Sequence, residues 1–161
     1  MSTTPSSDFG LNHVEVVTPD VDRITDFYVR VFDGVRVDVP VPPGAARAAV
    51  VRLGLRSGIA FVEVNSDHPD VEGSQAQLRR GHVDHLAIDA PTPEALEQAR
   101  QRLVTHGAGD GALRDYGPMV CVSFHDPDGM ASEVCWIRDP TLSDFHPPVA
   151  VDELDEVVPA G

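Results

Sequence analysis

A short pattern of residues occurs twice in this chain of 161 residues. His13 begins the segment His-Val-Glu-Val-Val-Thr-Pro, and His85 begins His-Leu-Ala-Ile-Asp-Ala-Pro. Each half later reaches a glutamate inside an apolar run, Glu63 in the first half and Glu133 in the second. The histidines are 72 residues apart (85 − 13) and the glutamates 70 apart (133 − 63). These near-equal separations predict a duplicated unit that supplies one metal site.

Apolar periodicity predicts the same order of elements in both halves. In the first half, a strand is followed by a helix that Thr18 or Asp20 caps and that ends near Asp33-Gly34, and then by three strands. In the second half, Thr92 caps the helix and Pro93 takes its first position. The predicted strands are 11–17, 35–39, 48–53 and 59–64, then 82–88, 112–116, 119–124 and 131–137. The predicted fold class is α+β.

Composition excludes several classes of function. The net charge is −14 and basic residues are not clustered, which disfavours binding to nucleic acid and to anionic membrane surfaces. The chain contains no lysine, so a lysine Schiff base is excluded. The N-terminus has no signal-peptide pattern and no apolar run reaches membrane-spanning length, so a cytoplasmic location is expected. Cys121 and Cys135 are expected to be buried, reduced thiols on neighbouring strands.

Strand alternation groups the candidate ligands by face. His13 and Glu15 share a face of the first strand, and Glu133 shares one with Cys135. A curved sheet that turned these faces inward would gather His13, Glu63, His85 and Glu133 in one cleft. Imidazole and carboxylate suit a divalent ion such as Zn, Ni, Co, Mn or Fe. The alternative interpretation is that these are polar residues at the edge of the core on half-exposed strands.

The chain resembles the vicinal oxygen chelate superfamily, which includes glyoxalase I, methylmalonyl-CoA epimerase, extradiol dioxygenases and bleomycin-binding proteins. Four segments carry the resemblance: Leu-Asn-His-Val-Glu-Val at 11–16, Asp-Phe-Tyr-Val-Arg-Val-Phe-Asp-Gly at 26–34, Val-Asp-His-Leu-Ala-Ile at 83–88 and Phe-His-Asp-Pro-Asp-Gly-Met-Ala-Ser-Glu-Val at 124–134. The Asp-Pro-Asp-Gly turn with a glutamate four residues later is the most specific of these.

The resemblance implies two paired βαβββ modules that form a curved, U-shaped mixed sheet around a metal cleft. The modules would span about 10–65 and 82–138, within a domain at 10–138 that a tail at 1–9 precedes and an acidic tail at 139–161 follows. The residues that match the family's ligand positions are His13, Glu63, His85 and Glu133. Thiol transferases and extradiol enzymes of the family use two histidines and one glutamate, so a fourth ligand at 63 favours the glyoxalase and epimerase branch.

The implied activity is that of an isomerase or lyase acting on a small oxygenated substrate through an enediolate or enolate. A carboxylate would move the proton, and the candidates are Glu133, Glu63 and Glu15. Two alternatives remain open: an Fe(II) or Mn(II) dioxygenase, and a non-catalytic natural-product binding or self-resistance protein. The resemblance also leads us to expect a homodimer.

Overall fold

The computed structural model describes residues 11–55, 57–64, 85–138 and 145–154, which form two compact units. The N-terminal unit contains the described residues up to 64 together with Asp126–Gly129, and the C-terminal unit contains 85–125 and the described residues from 130 onwards. The predicted linker at 66–81, the start of the strand expected at 82 and the end of the acidic tail lie outside the described residues.

The N-terminal unit contains one helix and a four-stranded sheet in the order β1-β4-β3-β2. Its elements are β1 (His13–Thr18), α1 (Val21–Phe32), β2 (Val35–Val39), β3 (Ala48–Arg52) and β4 (Gly58–Glu63). β1 pairs with β4 in parallel, whereas β2–β3 and β3–β4 are antiparallel. The helix therefore forms part of the crossover that a parallel pair requires.

The C-terminal unit repeats this order and adds one strand. Its elements are β5 (Leu86–Asp89), α2 (Pro93–Thr105), β6 (Leu113–Asp115), β7 (Met119–His125), β8 (Ala131–Ile137) and β9 (Val149–Val151). The sheet order is β5-β8-β7-β6-β9, with β5 and β8 parallel. The α+β class and the strand–helix–strand–strand–strand order predicted for each half are confirmed.

The helix boundaries follow local capping chemistry. The Asp20 carboxylate accepts hydrogen bonds from two backbone N–H groups of the first turn of α1, and the Thr92 hydroxyl accepts one from Ala95 N–H in α2. At the end of α1, the left-handed residue is Asp33 (φ 53°) rather than the glycine after it. Aspartate tolerates this region better than most residues because its short polar side chain can bond locally.

Each helix covers one face of its own sheet with apolar side chains. In α1, Ile24, Tyr28 and Val31 are fully buried, and the Tyr28 ring lies 5.4 Å from that of Phe61 in β4 (centroid to centroid). In α2, Leu96 and Leu103 are buried and the helix contacts β7 and β8. Among the described residues, no helix is both long enough and apolar enough to cross a membrane.

Part of the acidic C-terminal tail belongs to the fold of the C-terminal unit. β9 adds an antiparallel strand to the edge of β6, with Leu113 opposite Val151. Leu154 is only 7% exposed, whereas Phe145 is 62% exposed. The buried side chain at 154 and the pairing of β9 with β6 thus anchor the segment together, despite its acidic neighbours.

This anchoring predicts that Leu154→Ala lowers the free energy of unfolding by about 2 kcal/mol, the lower end of the range for a buried leucine. Val149→Ala is the matched control, since Val149 lies in the same segment but is 56% exposed. Urea unfolding followed by far-UV circular dichroism measures both. Equal stability of the two variants would show that the tail is not part of the cooperative core.

Candidate metal centre

In the N-terminal unit, the register of β1 against β4 separates the two predicted ligands. His13 lies opposite Gly58, and Glu63 lies opposite Thr18, at the other end of the strand pair. His13 and Glu15 share the exposed face of β1, whereas Thr18 is fully buried on the other face. Because neighbouring partners in a sheet point to the same side, Glu63 projects to the face opposite His13.

Glu63 is engaged at the beginning of α1. Its Oε2 accepts a hydrogen bond from the backbone N–H of Val21 at 3.0 Å and lies 3.3 Å from Nη1 of Arg47. Arg47 also pairs with Asp22 in the first helical turn, and these hydrogen bonds hold the pKa of Asp22 below its ordinary value. A carboxylate at a helix N-terminus is stabilised by the free N–H groups and by the helix dipole. The contacts of Glu63 are therefore those of a helix-terminus partner.

His13 has one ring nitrogen left for a ligand. Its Nδ1 lies 2.8 Å from Oδ1 of Asn12. Since that oxygen can only accept, Nδ1 donates, and the neutral ring keeps a lone pair at Nε2. This arrangement, in which one nitrogen donates to a neighbouring oxygen and the other stays free, is common for metal-binding histidines.

In the C-terminal unit, the structure brings the two predicted ligands together. Glu133 lies opposite Ala87 in the parallel β5–β8 pair, two residues after His85. Nε2 of His85 is 3.6 Å from Oε2 of Glu133, and the two side chains are 41% and 18% exposed. An imidazole nitrogen and a carboxylate oxygen at this separation can both reach one ion at the usual bond lengths of about 2.0–2.2 Å.

Two thiols lie beside this pair. Cys121 of β7 is directly opposite Cys135 of β8, and both are buried and free of disulfide. The Cys135 thiol donates to Oε2 of Glu133 at 3.7 Å, and the Ser123 hydroxyl donates to Oε1 at 3.3 Å. The pKa of Cys135 is raised, first by its hydrogen bond with Cys121 and then by burial and the neighbouring charges. The reduced, buried thiols on adjacent strands match the expectation from the sequence.

The two modules are not equivalent at the glutamates. Glu133 is aligned with Ala87, two residues after His85, and the corresponding position two residues after His13 is Glu15. The residue opposite Glu15 is Ala60, so Ala60 occupies the place of Glu133 in the first module. Glu63 is three residues further along β4, and an odd shift turns a side chain to the other face of a strand.

The two units differ in how they present the predicted ligands. The C-terminal unit presents His85 and Glu133 together, and their geometry fits a divalent ion. The N-terminal unit presents His13 with Glu15 on one face, and it holds Glu63 on the other, where its oxygens are already bonded. Glu63 therefore does not fit a ligand set that includes His13.

The partners of these residues were not predicted from the sequence. Asn12, Arg47 and the two cysteines complete the surroundings of His13, Glu63 and Glu133. For Cys135 a signal existed, since it follows Glu133 by two residues on the same strand and therefore shares its face. For Arg47 no sequence signal indicated the contact with Glu63, because Arg47 lies in a loop segment.

Comparison with known proteins places the chain in a family. Residues 10–134 match the family model of the glyoxalase/bleomycin resistance protein/dioxygenase superfamily, and the chain belongs to this superfamily. A search of curated proteins finds no significant match.

Solved structures share the fold. A glyoxalase/bleomycin resistance protein/dioxygenase domain from Frankia sp. EAN1pec is 24% identical, with a TM-score of 0.65 over 82% of this chain and 94% of that one. The fosfomycin resistance protein FosX from Listeria monocytogenes is 16% identical, with a TM-score of 0.55 over 81% and 94%. An integron cassette protein from V. cholerae is 19% identical, with a TM-score of 0.54 over 83% and 98%. FosX has also been solved with Mn(II).

The contacts of Glu63 generate a prediction. Glu63→Ala is expected to lower the free energy of unfolding by about 1 kcal/mol, as for loss of a helix-capping side chain, and to leave the metal content unchanged. Asp26→Ala is the control: it removes an exposed carboxylate of α1 whose pair with Arg30 contributes about 0.3–0.5 kcal/mol. Urea unfolding and elemental analysis measure the two effects. Loss of metal from Glu63→Ala would restore the four-ligand hypothesis.

Proposed function

We propose that this protein is a metal-dependent enzyme whose divalent ion is held by His85, Glu133 and His13. The observation that carries the proposal is the approach of His85 Nε2 to Glu133 Oε2 at 3.6 Å. His13 is the further ligand that the family resemblance implies, and its free Nε2 supports that role. Three protein ligands leave coordination positions for a substrate, as in catalytic rather than structural sites.

The proposed reaction is a proton transfer of the isomerase or lyase type. When bound, the ion supplies Lewis-acid polarisation of the substrate's oxygen atoms. Glu15 is the base in this proposal, because it is an exposed carboxylate on the face of His13, whereas Glu63 is bonded on the other face. Glu15 removes a proton from the carbon next to the polarised oxygen and returns it at the same or the adjacent atom.

The face that carries His13 and Glu15 indicates the substrate's chemistry. Aligned residues across the sheet form three rows on this face: His13–Gly58–Arg52–Val35, Glu15–Ala60–Val50–Val37 and Val17–Val62–Ala48–Val39. Val17, Val35 and Val37 are 63%, 52% and 43% exposed. Exposed apolar side chains gathered on one face are typical of ligand sites.

A charged group is available at the end of this face. A shallow pocket of about 200 Å³ lies next to His13 and is lined by Asn12, Arg52 and Leu55, among others. In the described part of the chain, no carboxylate pairs with Arg52. We therefore propose a small oxygenated substrate that has an apolar body and a negatively charged group.

A second candidate function is oxidation by Fe(II) or Mn(II). Two histidines and one carboxylate with open positions are also the ligand set of non-haem iron oxygenases. The position of Glu63 favours this alternative over a four-ligand site, because only Glu133 remains as the carboxylate ligand.

The ligand assignment predicts metal loss. His85→Ala and Glu133→Gln are each expected to weaken binding of Mn²⁺ by more than about 10-fold, since even groups outside the ligand set contribute 10–100-fold. His106→Ala is the control, because His106 is an exposed histidine at the end of α2. Equilibrium dialysis with elemental analysis provides the measurement. Unchanged binding in both variants would exclude the enzyme proposal and favour a non-catalytic binding protein.

The role of Glu15 predicts the reaction type. Metal-loaded protein in D₂O is expected to exchange the carbon-bound proton of α-hydroxy ketones or 2-substituted thioesters that carry a negatively charged group, detected by NMR. Glu15→Gln should slow exchange about 100-fold or more and retain the metal, as expected for loss of a general base. Glu97→Gln, on α2, is the control. Oxygen consumption by the Fe(II)-loaded protein without such exchange would contradict the isomerase or lyase and support the oxygenase.

A further inference from the structure

The thiol pair next to Glu133 is not used by the proposed reaction. The ligand atoms of Cys121, Glu133 and Cys135 all lie within 4.8 Å of one another. They come from two adjacent strands, with Cys121 and Cys135 aligned across the β7–β8 pair and Glu133 two residues before Cys135 on the same face. All three belong to the C-terminal unit, so the cluster is defined by one sheet.

We propose that Cys121, Cys135 and Glu133 form a second metal site, selective for a thiophilic divalent ion such as Zn²⁺. Two thiolates and a carboxylate are a donor set that zinc uses, and sulfur ligands select against Mn²⁺ and Mg²⁺. Oε2 of Glu133 faces both His85 and Cys135, and a carboxylate oxygen has two lone pairs, so this group can serve both sites.

The distances are compatible with tetrahedral coordination. Ligand bonds of about 2.0 Å to nitrogen or oxygen and 2.3 Å to sulfur place neighbouring donor atoms roughly 3.3–3.8 Å apart around zinc. The Cys135 sulfur is already 3.7 Å from Oε2 of Glu133. The other pairs of donor atoms lie within 4.8 Å. Side-chain rotations that move these atoms by about 1 Å would bring them all to bonding distance of one ion.

The surroundings of Glu133 also favour a cation. Its side chain is 18% exposed, and its partners in the described chain are His85, Ser123 and Cys135, at 3.6, 3.3 and 3.7 Å. A half-buried carboxylate with only these long contacts is poorly satisfied compared with Glu63, which has a backbone N–H at 3.0 Å and an arginine. Buried charges are normally paired or bound to metal.

An ion would enter past Glu133, since the thiols are almost fully covered. Cys121 is 1% exposed and Cys135 is 7% exposed. A cysteine must lose its proton to bind an ion. Binding of the ion and release of protons are therefore coupled, and the site favours ions that bind sulfur strongly.

Cobalt titration of the reduced full-length protein tests the proposal, because Co²⁺ bound to thiolate absorbs in the near ultraviolet and Co²⁺ bound to nitrogen and oxygen does not. We expect this band in the wild type. Cys121→Ser and Cys135→Ser should each weaken it and the double variant should lose it. Ser123→Ala, on the same face of β7, should keep it. His85→Ala should also keep it, which separates this site from the proposed catalytic one.

Zinc X-ray absorption on the wild type gives a test that needs no variant. Sulfur neighbours at about 2.3 Å are expected, in contrast to nitrogen or oxygen at about 2.0–2.1 Å. Co²⁺ or Zn²⁺ bound with nitrogen and oxygen neighbours alone would overturn the thiol site while leaving the proposed function intact. Weaker Mn²⁺ binding by His85→Ala, together with a retained Co²⁺–thiolate band, is the result that supports both proposals.

Discussion

The parallel pairing of β5 with β8 is the constraint on which the candidate centre depends. It aligns Glu133 with Ala87 and so brings Glu133 within 3.6 Å of His85, which precedes β5 by one residue. The antiparallel pairing of β8 with β7 then adds Cys121 beside Cys135. Backbone hydrogen bonds fix both alignments, and a slip of one residue would turn every one of these side chains to the opposite face. Strand register therefore fixes the backbone positions of these residues.

The first module shows how the same fold can use a glutamate differently. Glu63 lies at the end of β4, where the backbone N–H groups at the start of α1 need acceptors. Arg47 adds a positive charge, so the carboxylate is satisfied without a metal. Glu133 has no arginine among its partners in the described chain. The difference between Glu63 and Glu133, the proposed metal ligand, thus lies in the groups that surround each carboxylate, not in the residue type.

The bonding of Glu63 also affects the proposed chemistry, because it reduces the number of proposed metal ligands. With Glu63 bonded at the helix, the ligand set proposed for the protein contains two histidines and one carboxylate and leaves room for a chelating substrate. Glu15 remains on the face of His13, together with exposed valines. The proposed proton-transfer role for Glu15 and the proposed apolar body of the substrate both rest on that face. The thiols beside Glu133 bear on the kind of ion that the C-terminal unit is proposed to bind.

The sequence alone determined the α+β class and most element boundaries. Apolar periodicity, helix caps such as Thr92-Pro93 and turn residues act locally, so they can be recognised along the chain. The sequence also singled out His85 and Glu133. It did not determine the register of β4: the spacing of the two glutamates suggested equivalence, yet Ala60 is the counterpart of Glu133. Only the tertiary structure decided this, because pairing with a distant strand sets which face a side chain occupies.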